Sequence, residues 1–150
     1  MARAVSRTPA YRAGRDSVGT VSAENVEIVR RGLEHFLATG EPDWDTTADD
    51  LEIHDHDIPD RGEYRGRAGF GRWLEDWGSA WADWSFQPQE FIDAGDRVVV
   101  VAHLTAMGRE SGVKVDRRDG LVYTMRDGKI VRLDYYSSRD QALEVAGVSA

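Results

Sequence analysis

The side chain best suited to chemistry in this sequence is a carboxylate, that of Asp55. It follows Leu51 and Ile53 at alternate positions, so in a strand all three share one face. Desolvation on such an apolar wall disfavours the charged carboxylate, which raises its pKa and suits it to act as a general base. We therefore take Asp55 as the candidate catalytic base. The alternative is a solvated carboxylate at the end of a strand.

His103 and Tyr123 are the candidate partners of that carboxylate. His103 interrupts a valine-rich stretch, where an imidazole can serve as a general acid or base near neutral pH. Tyr123 alternates with Leu121 and Met125, and its hydroxyl can orient a ligand oxygen. Each also has a structural interpretation, as a hydrogen-bonded histidine and as an amphipathic wall tyrosine.

Four further side chains are candidates for substrate binding. Trp73 and Trp77 belong to a series with Trp81 that is spaced by four residues, which predicts a helical stripe packing a core or covering a flat polycyclic ligand. Tyr136 can act like Tyr123, and Arg118 can clamp a ligand carboxylate.

A metal site is the less favoured interpretation of the run His54-Asp55-His56-Asp57. In a strand the two histidines share one face with Glu52, while the two aspartates face the other way. A site of two histidines and one carboxylate is conceivable, but an exposed polar strand face explains the pattern more simply. The sequence has no cysteine, which excludes disulfides and thiolate ligands. We expect neither a metal nor a cofactor.

The elements that must position these residues follow from hydrophobic periodicity and turn signals. Helices come first, followed by a run of strands joined by hairpins, which predicts an α+β domain in which a curved antiparallel sheet wraps around the helices and encloses a conical pocket. The residues 116–120 look like a turn within a bent strand, and Asp127-Gly128 is a hairpin signal. The expected elements are helices over 22–40, 44–48, 68–82 and 139–146, and strands over 51–57, 86–93, 97–107, 113–125 and 130–136.

Charge and composition limit the class of protein. The net charge of the whole chain is −8, and the first 20 residues carry +3, so the remaining residues carry −11. So acidic a body disfavours nucleic-acid binding. We interpret residues 1–21 as a disordered basic leader and 22–147 as one folded domain. No apolar run approaches the length of a membrane span, and no secretion signal is visible, so the expected location is the cytoplasm.

Three stretches and the order of the elements resemble the nuclear transport factor 2-like superfamily and its SnoaL-like branch. The stretches are Leu51–Asp55 with Gly62–Gly66, Ile92–Val100, and Met125–Arg132 with Tyr136. The resemblance covers about residues 22–147. It implies a cystatin-like α+β barrel that carries isomerases, dehydratases, epoxide hydrolases, polyketide cyclases or binding proteins.

Within that resemblance, Asp55 lies where ketosteroid isomerases place the Asp that moves the substrate proton. The positions of their oxyanion-holding Tyr and Asp correspond to Leu33 and Leu121. Leucine cannot donate a hydrogen bond, so the main catalytic contribution to enolisation is missing. The resemblance therefore argues against steroid isomerisation. An epoxide-hydrolase variant would need an Asp–Arg–Asp group, for which Asp116, Arg118 and Asp134 are candidates.

Three functions remain open from the sequence. The favoured one is a cofactor-independent acid–base enzyme of the isomerase, cyclase, dehydratase or hydrolase type, acting on a small, apolar, oxygenated molecule. The second is a non-catalytic ligand-binding protein. The third is assembly, because the resemblance implies a homodimer through the open face of the sheet.

Overall fold

The computed structural model describes residues 3–4, 20–58 and 62–148, with side chains from residue 22 onward. These residues form three helices and a seven-stranded sheet of order β1-β4-β5-β6-β7-β2-β3. The helices are α1 (Thr20–Thr39), α2 (Gly66–Ser79) and α3 (Arg139–Ala146); the strands are β1 (Arg3–Ala4), β2 (Thr47–Asp55), β3 (Glu63–Arg65), β4 (Trp81–Ala94), β5 (Arg97–Gly108), β6 (Lys114–Arg126) and β7 (Lys129–Tyr136). None of the described helices has the length and apolar character to cross a membrane.

The sheet is mixed, curved and unclosed, and the α+β class is confirmed. Strands β4 to β7 form an antiparallel meander, as expected, whereas β2 runs parallel to β7 and β1 parallel to β4. Parallel pairing needs a long connection, and the chain from β2 to β7 supplies it.

The sheet has an inner face, covered by α1 and α2, and an outer face, partly covered by α3. Inner-face residues of β2 and β4 to β7 pack with Val26, Val29, Leu33, Phe70 and Trp73 of the two long helices. The outer-face residues Val99, Val101, Val122 and Tyr136 pack instead with Ala142, Leu143 and Ala146 of α3. The expected packing of the N-terminal helices against one face is therefore confirmed, and α3, which follows the last strand, covers part of the other face.

Helix α3 sits unusually close to the sheet at Gly120. A Cβ atom at that position would lie 2.4 Å from the Cβ of Ala142, so only glycine leaves room for the helix. The helix has the expected bounds. The Ser138 hydroxyl accepts from the backbone N–H of Gln141, and Gly147 ends the helix with a φ of 75°.

Several expected boundaries are wrong for local reasons. Residues 44–48 form no helix, because Asp43 accepts from the backbone N–H groups of Asp45 and Thr46 in a turn that leads directly into β2. Trp81 starts β4 and does not belong to α2. The predicted interruption of β6 at 116–120 is absent, because these residues pair continuously with β5. The Asp127-Gly128 hairpin is confirmed, with φ values of 52° and 77°.

Most of the expected leader, residues 1–21, lies outside the described residues. The exceptions are the two residues of β1 and the start of α1, which begins at Thr20, two residues before the expected Ser22.

Candidate ligand cavity

A cavity of about 420 Å³ lies between α1, α2 and the inner face. Its walls are mainly apolar, and eight aromatic side chains contribute: Phe36, Phe70, Trp73, Trp77, Trp84, Phe86, Tyr123 and Tyr135. Volume and lining match those of small-molecule pockets, which typically span about 300–1,000 Å³. The predicted pocket between helices and sheet is thus present.

The aromatic side chains of the wall pack edge to face. Ring centroids lie 5.7 Å apart for Phe36 with Phe70 and for Phe70 with Trp73, and 5.0 Å apart for Trp77 with Trp84. Such T-shaped contacts add to the stability gained from burial. The cavity is therefore bounded by mutually packed rings contributed by both long helices and the sheet.

Tyr123 lines the cavity, as the sequence predicted. The side chain is 8% exposed, and burial raises the pKa of its hydroxyl. Among the described residues, none forms a hydrogen bond with this hydroxyl. The hydroxyl is thus a polar group in a mainly apolar wall, available to a ligand oxygen.

Asp55 is buried at the end of β2, but it is not one of the residues that line the cavity. Its Oδ2 accepts a 2.7 Å hydrogen bond from Nε1 of Trp73, and its Oδ1 accepts a 2.9 Å bond from the backbone N–H of Asp57. Burial raises the pKa of Asp55, and the two hydrogen bonds oppose that rise. The Trp73 ring lines the cavity, and its Nε1 bonds to the Asp55 carboxylate, which lies outside the lining.

A second buried carboxylate, Asp119, stands behind Tyr135 in a similar way. The Tyr135 hydroxyl donates to Asp119 Oδ2, and Arg117 Nε donates to Asp119 Oδ1 over 2.6 Å. Arg117 also donates to Asp57 Oδ2 over 3.2 Å. Burial raises the pKa of Asp119, although the hydrogen bonds from Arg117 and Tyr135 oppose the rise. We call the two buried carboxylates, Asp55 and Asp119, together with the more exposed Asp57 and Arg117 that bond to them, the buried acidic cluster.

The structure places His103 and Arg118 on the outer face, away from the cavity. His103 alternates with Val99 and Val101, which pack under α3, and its Nε2 lies 2.8 Å from Asp116 Oδ1. Arg118 is exposed and pairs across the strands with His103. The valine-rich run is buried on both faces, so burial along β5 could not show which face holds the histidine. The structure does not bring these two side chains to Asp55.

Tyr136 is also on the outer face. Its ring stacks on His56 at a centroid distance of 4.4 Å and an angle of 4°. The neighbouring Tyr135 occupies the inner position instead. A register shift between β6 and β7 separates the paired positions Thr124 and Met125, so counting alternate residues across this pair assigns the wrong tyrosine.

The candidate Asp–Arg–Asp group also differs from the expectation. Asp116 and Arg118 share the outer face, and Asp134 bonds to Arg132 and His56 there. An Asp–Arg–Asp arrangement exists on the inner side and consists of Asp57, Arg117 and Asp119. Sequence reasoning missed Arg117 and Asp119 because it interpreted their segment as a turn.

Leu33 and Leu121, the positions implied by the resemblance to correspond to the oxyanion-holding residues of ketosteroid isomerases, both line the cavity. They present hydrocarbon where those enzymes present donors. Trp73 and Trp77 line the cavity too, consistent with their predicted positions in a ligand-binding wall.

The described residues contain no group of three or more His, Cys, Asp or Glu placed to hold a metal ion. His54 and His56 share the outer face, but their rings are stacked with centroids 6.4 Å apart. His54 contacts Glu52 and His56 contacts Asp134. Each imidazole therefore has its own carboxylate partner.

Solved structures share this fold. A putative SnoaL-like polyketide cyclase from Jannaschia sp. CCS1 is 22% identical over 89% of this chain and 96% of its own, with a TM-score of 0.65. TerC, crystallised with polyporic acid, is 23% identical over 83% and 98%, with a TM-score of 0.60. A cystatin-like protein of unknown function from Xanthomonas campestris is 18% identical over 83% and 98%, also at 0.60.

At these identities the likeness shows the fold alone. No functionally curated protein matches this sequence. The family model of the SnoaL-like domain, however, matches residues 29–133, a span that runs from α1 to β7 and includes the described cavity-lining residues except Tyr135. The chain belongs to the SnoaL-like domain family.

Proposed function

We propose that this protein binds a small, mostly apolar, oxygenated molecule in the cavity. The observation that carries this proposal is the Tyr123 hydroxyl, which has no partner among the described residues and lies in a wall made mainly of hydrocarbon and ring faces. A ligand oxygen would give this hydroxyl a hydrogen bond with a net value of about 0.5–1.5 kcal/mol. TerC, of the same fold, was crystallised with polyporic acid, which supports a small organic ligand.

Two experiments test the binding function. Native mass spectrometry of the protein as purified should detect a bound organic compound. Calorimetric titration should show that 2-naphthol binds more tightly than naphthalene by about two- to tenfold, the net value of one hydrogen bond. Equal affinities, or binding of neither compound, would contradict the proposal.

Acid–base catalysis on the bound molecule, without a cofactor, is the second proposal. It is favoured by Asp55, whose pKa is raised by burial and whose Oδ2 is held by a side chain of the cavity wall. A shift of the Trp73 indole would open a path from the carboxylate to the ligand. Isomerase, cyclase, dehydratase and hydrolase reactions all use such a base.

Asp55→Asn tests this second proposal once a ligand is known. Turnover should be abolished while ligand binding and the folded state persist. The matched control is Asp57→Asn, which changes a neighbouring carboxylate whose hydrogen bond goes to Arg117 instead of Trp73. Unchanged turnover in Asp55→Asn would eliminate Asp55 as the base, and saturable binding with no product from any ligand would favour a pure binding protein.

Assembly as a homodimer through the outer face is a further proposal. Among the described residues, the exposed large hydrophobic side chains are Val113 and Val145, so such an interface would be largely polar around His103, Asp116 and Arg118. Light scattering coupled to size exclusion decides the matter. A strict monomer at micromolar concentration would overturn the dimer.

A further inference from the structure

Among the residues that the structure describes, carboxylates lie behind the wall of the cavity and no basic side chain lines it. The buried acidic cluster combines three carboxylates with one guanidinium, and its members Asp55 and Asp119 are 3% and 0% exposed. Among the described residues that line the cavity, Asp43 is the only charged one. The cluster therefore has an excess of negative charge unless two of its carboxylates take up protons.

Arg117 cannot serve as a counter-ion for a bound anion. Its Nε donates to Asp119 and its Nη2 donates to Asp57 and Asp119, and the residue does not line the cavity. An anionic ligand would thus lose its hydration without gaining a cation. It would also face repulsion from the cluster through a medium of low dielectric constant.

We propose that the buried acidic cluster makes the cavity selective for uncharged ligands, so that it accepts hydroxyl, carbonyl or amide compounds and rejects carboxylates and phosphates of the same shape. This inference rests on the proposed binding function and narrows its ligand class. Asp55 and Asp119 are the specificity-determining residues. With Trp73 and Tyr135 in the positions that this structure shows, they act on the ligand through the electric field behind these two rings and not by direct contact.

The electrostatics of the cluster agree with this assignment. Burial raises the pKa of both Asp55 and Asp119, which means that the region already disfavours the charges it holds. A further negative charge in the neighbouring cavity would raise those pKa values again, and the cost of doing so would appear as lost affinity.

The test compares 2-naphthamide with 2-naphthoate, which have the same shape and differ by one charge at pH 7. Calorimetric titration of the full chain should give an affinity for the carboxylate at least about tenfold weaker. The ratio should persist in high salt, because salt screens charges on the surface far better than buried ones. This comparison needs only the wild-type protein.

Variants then locate the effect. Asp55→Asn and Asp119→Asn should each narrow the amide-to-carboxylate ratio. Glu75→Gln, which removes one negative charge from an exposed position on α2, should leave it unchanged. Equal affinities for the two probes would overturn the inference. So would an amide-to-carboxylate affinity ratio that falls to one in high salt, or one that changes as much in Glu75→Gln as in Asp55→Asn and Asp119→Asn. Failure of every naphthalene probe to bind would instead refute the binding function itself.

Discussion

Removing a hydroxyl from Tyr123 and from Tyr135 should have opposite effects on stability, although both side chains line the same cavity. The Tyr123 hydroxyl has no partner among the described residues, so Tyr123→Phe breaks no hydrogen bond to them and should leave the free energy of unfolding unchanged or raise it by up to about 1 kcal/mol. The Tyr135 hydroxyl donates to the buried carboxylate of Asp119. Tyr135→Phe should therefore lower the free energy of unfolding by about 1.5–3 kcal/mol, the value of a hydrogen bond to a charged group.

The two variants should thus differ by about 1.5–4 kcal/mol in the free energy of unfolding, or roughly 3–16 °C in Tm for a domain of this length. Urea unfolding followed by the fluorescence of the five tryptophans provides the measurement. Binding supplies the second measurement: Tyr123→Phe should lose about two- to tenfold in affinity for 2-naphthol and nothing for naphthalene. If Tyr123→Phe proves as unstable as Tyr135→Phe, its hydroxyl is structural and the case for a ligand oxygen fails.

Other predictions concern the parts of the fold that support the cavity. Gly120→Ala should lower the free energy of unfolding by about 1–3 kcal/mol, because the added methyl group forces α3 away from the sheet. The control Gly71→Ala, whose added Cβ would meet no atom within 4 Å, should raise the free energy of unfolding by up to about 1 kcal/mol through helix propensity. A calorimetric Tm that is higher for Gly120→Ala than for Gly71→Ala would contradict the close packing of α3 at Gly120. Arg117→Met should lower the free energy of unfolding by about 3–5 kcal/mol by removing the ion-pair partner of the fully buried Asp119 carboxylate, and adding Asp119→Asn should restore part of that loss in urea unfolding. Burial raises the pKa of Asp134, but hydrogen bonds from Arg132 and His56 outweigh it, so the net pKa is lowered. The stabilisation that ionised Asp134 contributes is present above the unfolded pKa of about 3.9 and is lost as pH falls through the lower folded pKa. In Asp134→Asn, the free energy of unfolding should therefore decrease less steeply with falling pH in this range. The same pH dependence in variant and wild type would exclude this role.

Elements with local causes were predictable from the sequence. The Asp127-Gly128 turn needs two residues with positive φ, and both residue types tolerate it. Helix α3 has its bounds at a capping serine and a left-handed glycine, and the apolar stripe of α1 faces the core as the spacing indicates. In each of these, neighbouring residues settle the conformation.

The candidate site was predictable only in part, because it depends on which face of the sheet a residue occupies. The family resemblance placed Tyr123 at the cavity, and period-two alternation predicted the shared buried face of Leu51, Ile53 and Asp55. Alternation failed for His103, because residues on both faces of β5 are buried, so a buried position does not distinguish the inner face from the outer face. Along β7, a register shift relative to β6 transferred the inner position from Tyr136 to Tyr135.

The buried acidic cluster could not be inferred from spacing at all. Arg117 and Asp119 are two residues apart, but Asp57 is 60 residues away from Arg117 and meets it only when β2 and β6 are both in place. A run rich in charge normally indicates an exposed turn. Here the pairing with β5 overrides that local preference and carries Asp119 into the interior.

The anchoring of Trp73 and Tyr135 from behind has a consequence for redesign. Their polar tips are held by carboxylates outside the cavity, so the positions of these two rings depend on groups that a ligand does not touch. Leu33 and Leu121 border the same space without any such anchor. Polar substitutions at those two leucines would change which ligands the cavity binds, while the rings of Trp73 and Tyr135 keep their positions. The protein is therefore a suitable scaffold for the design of small-molecule receptors.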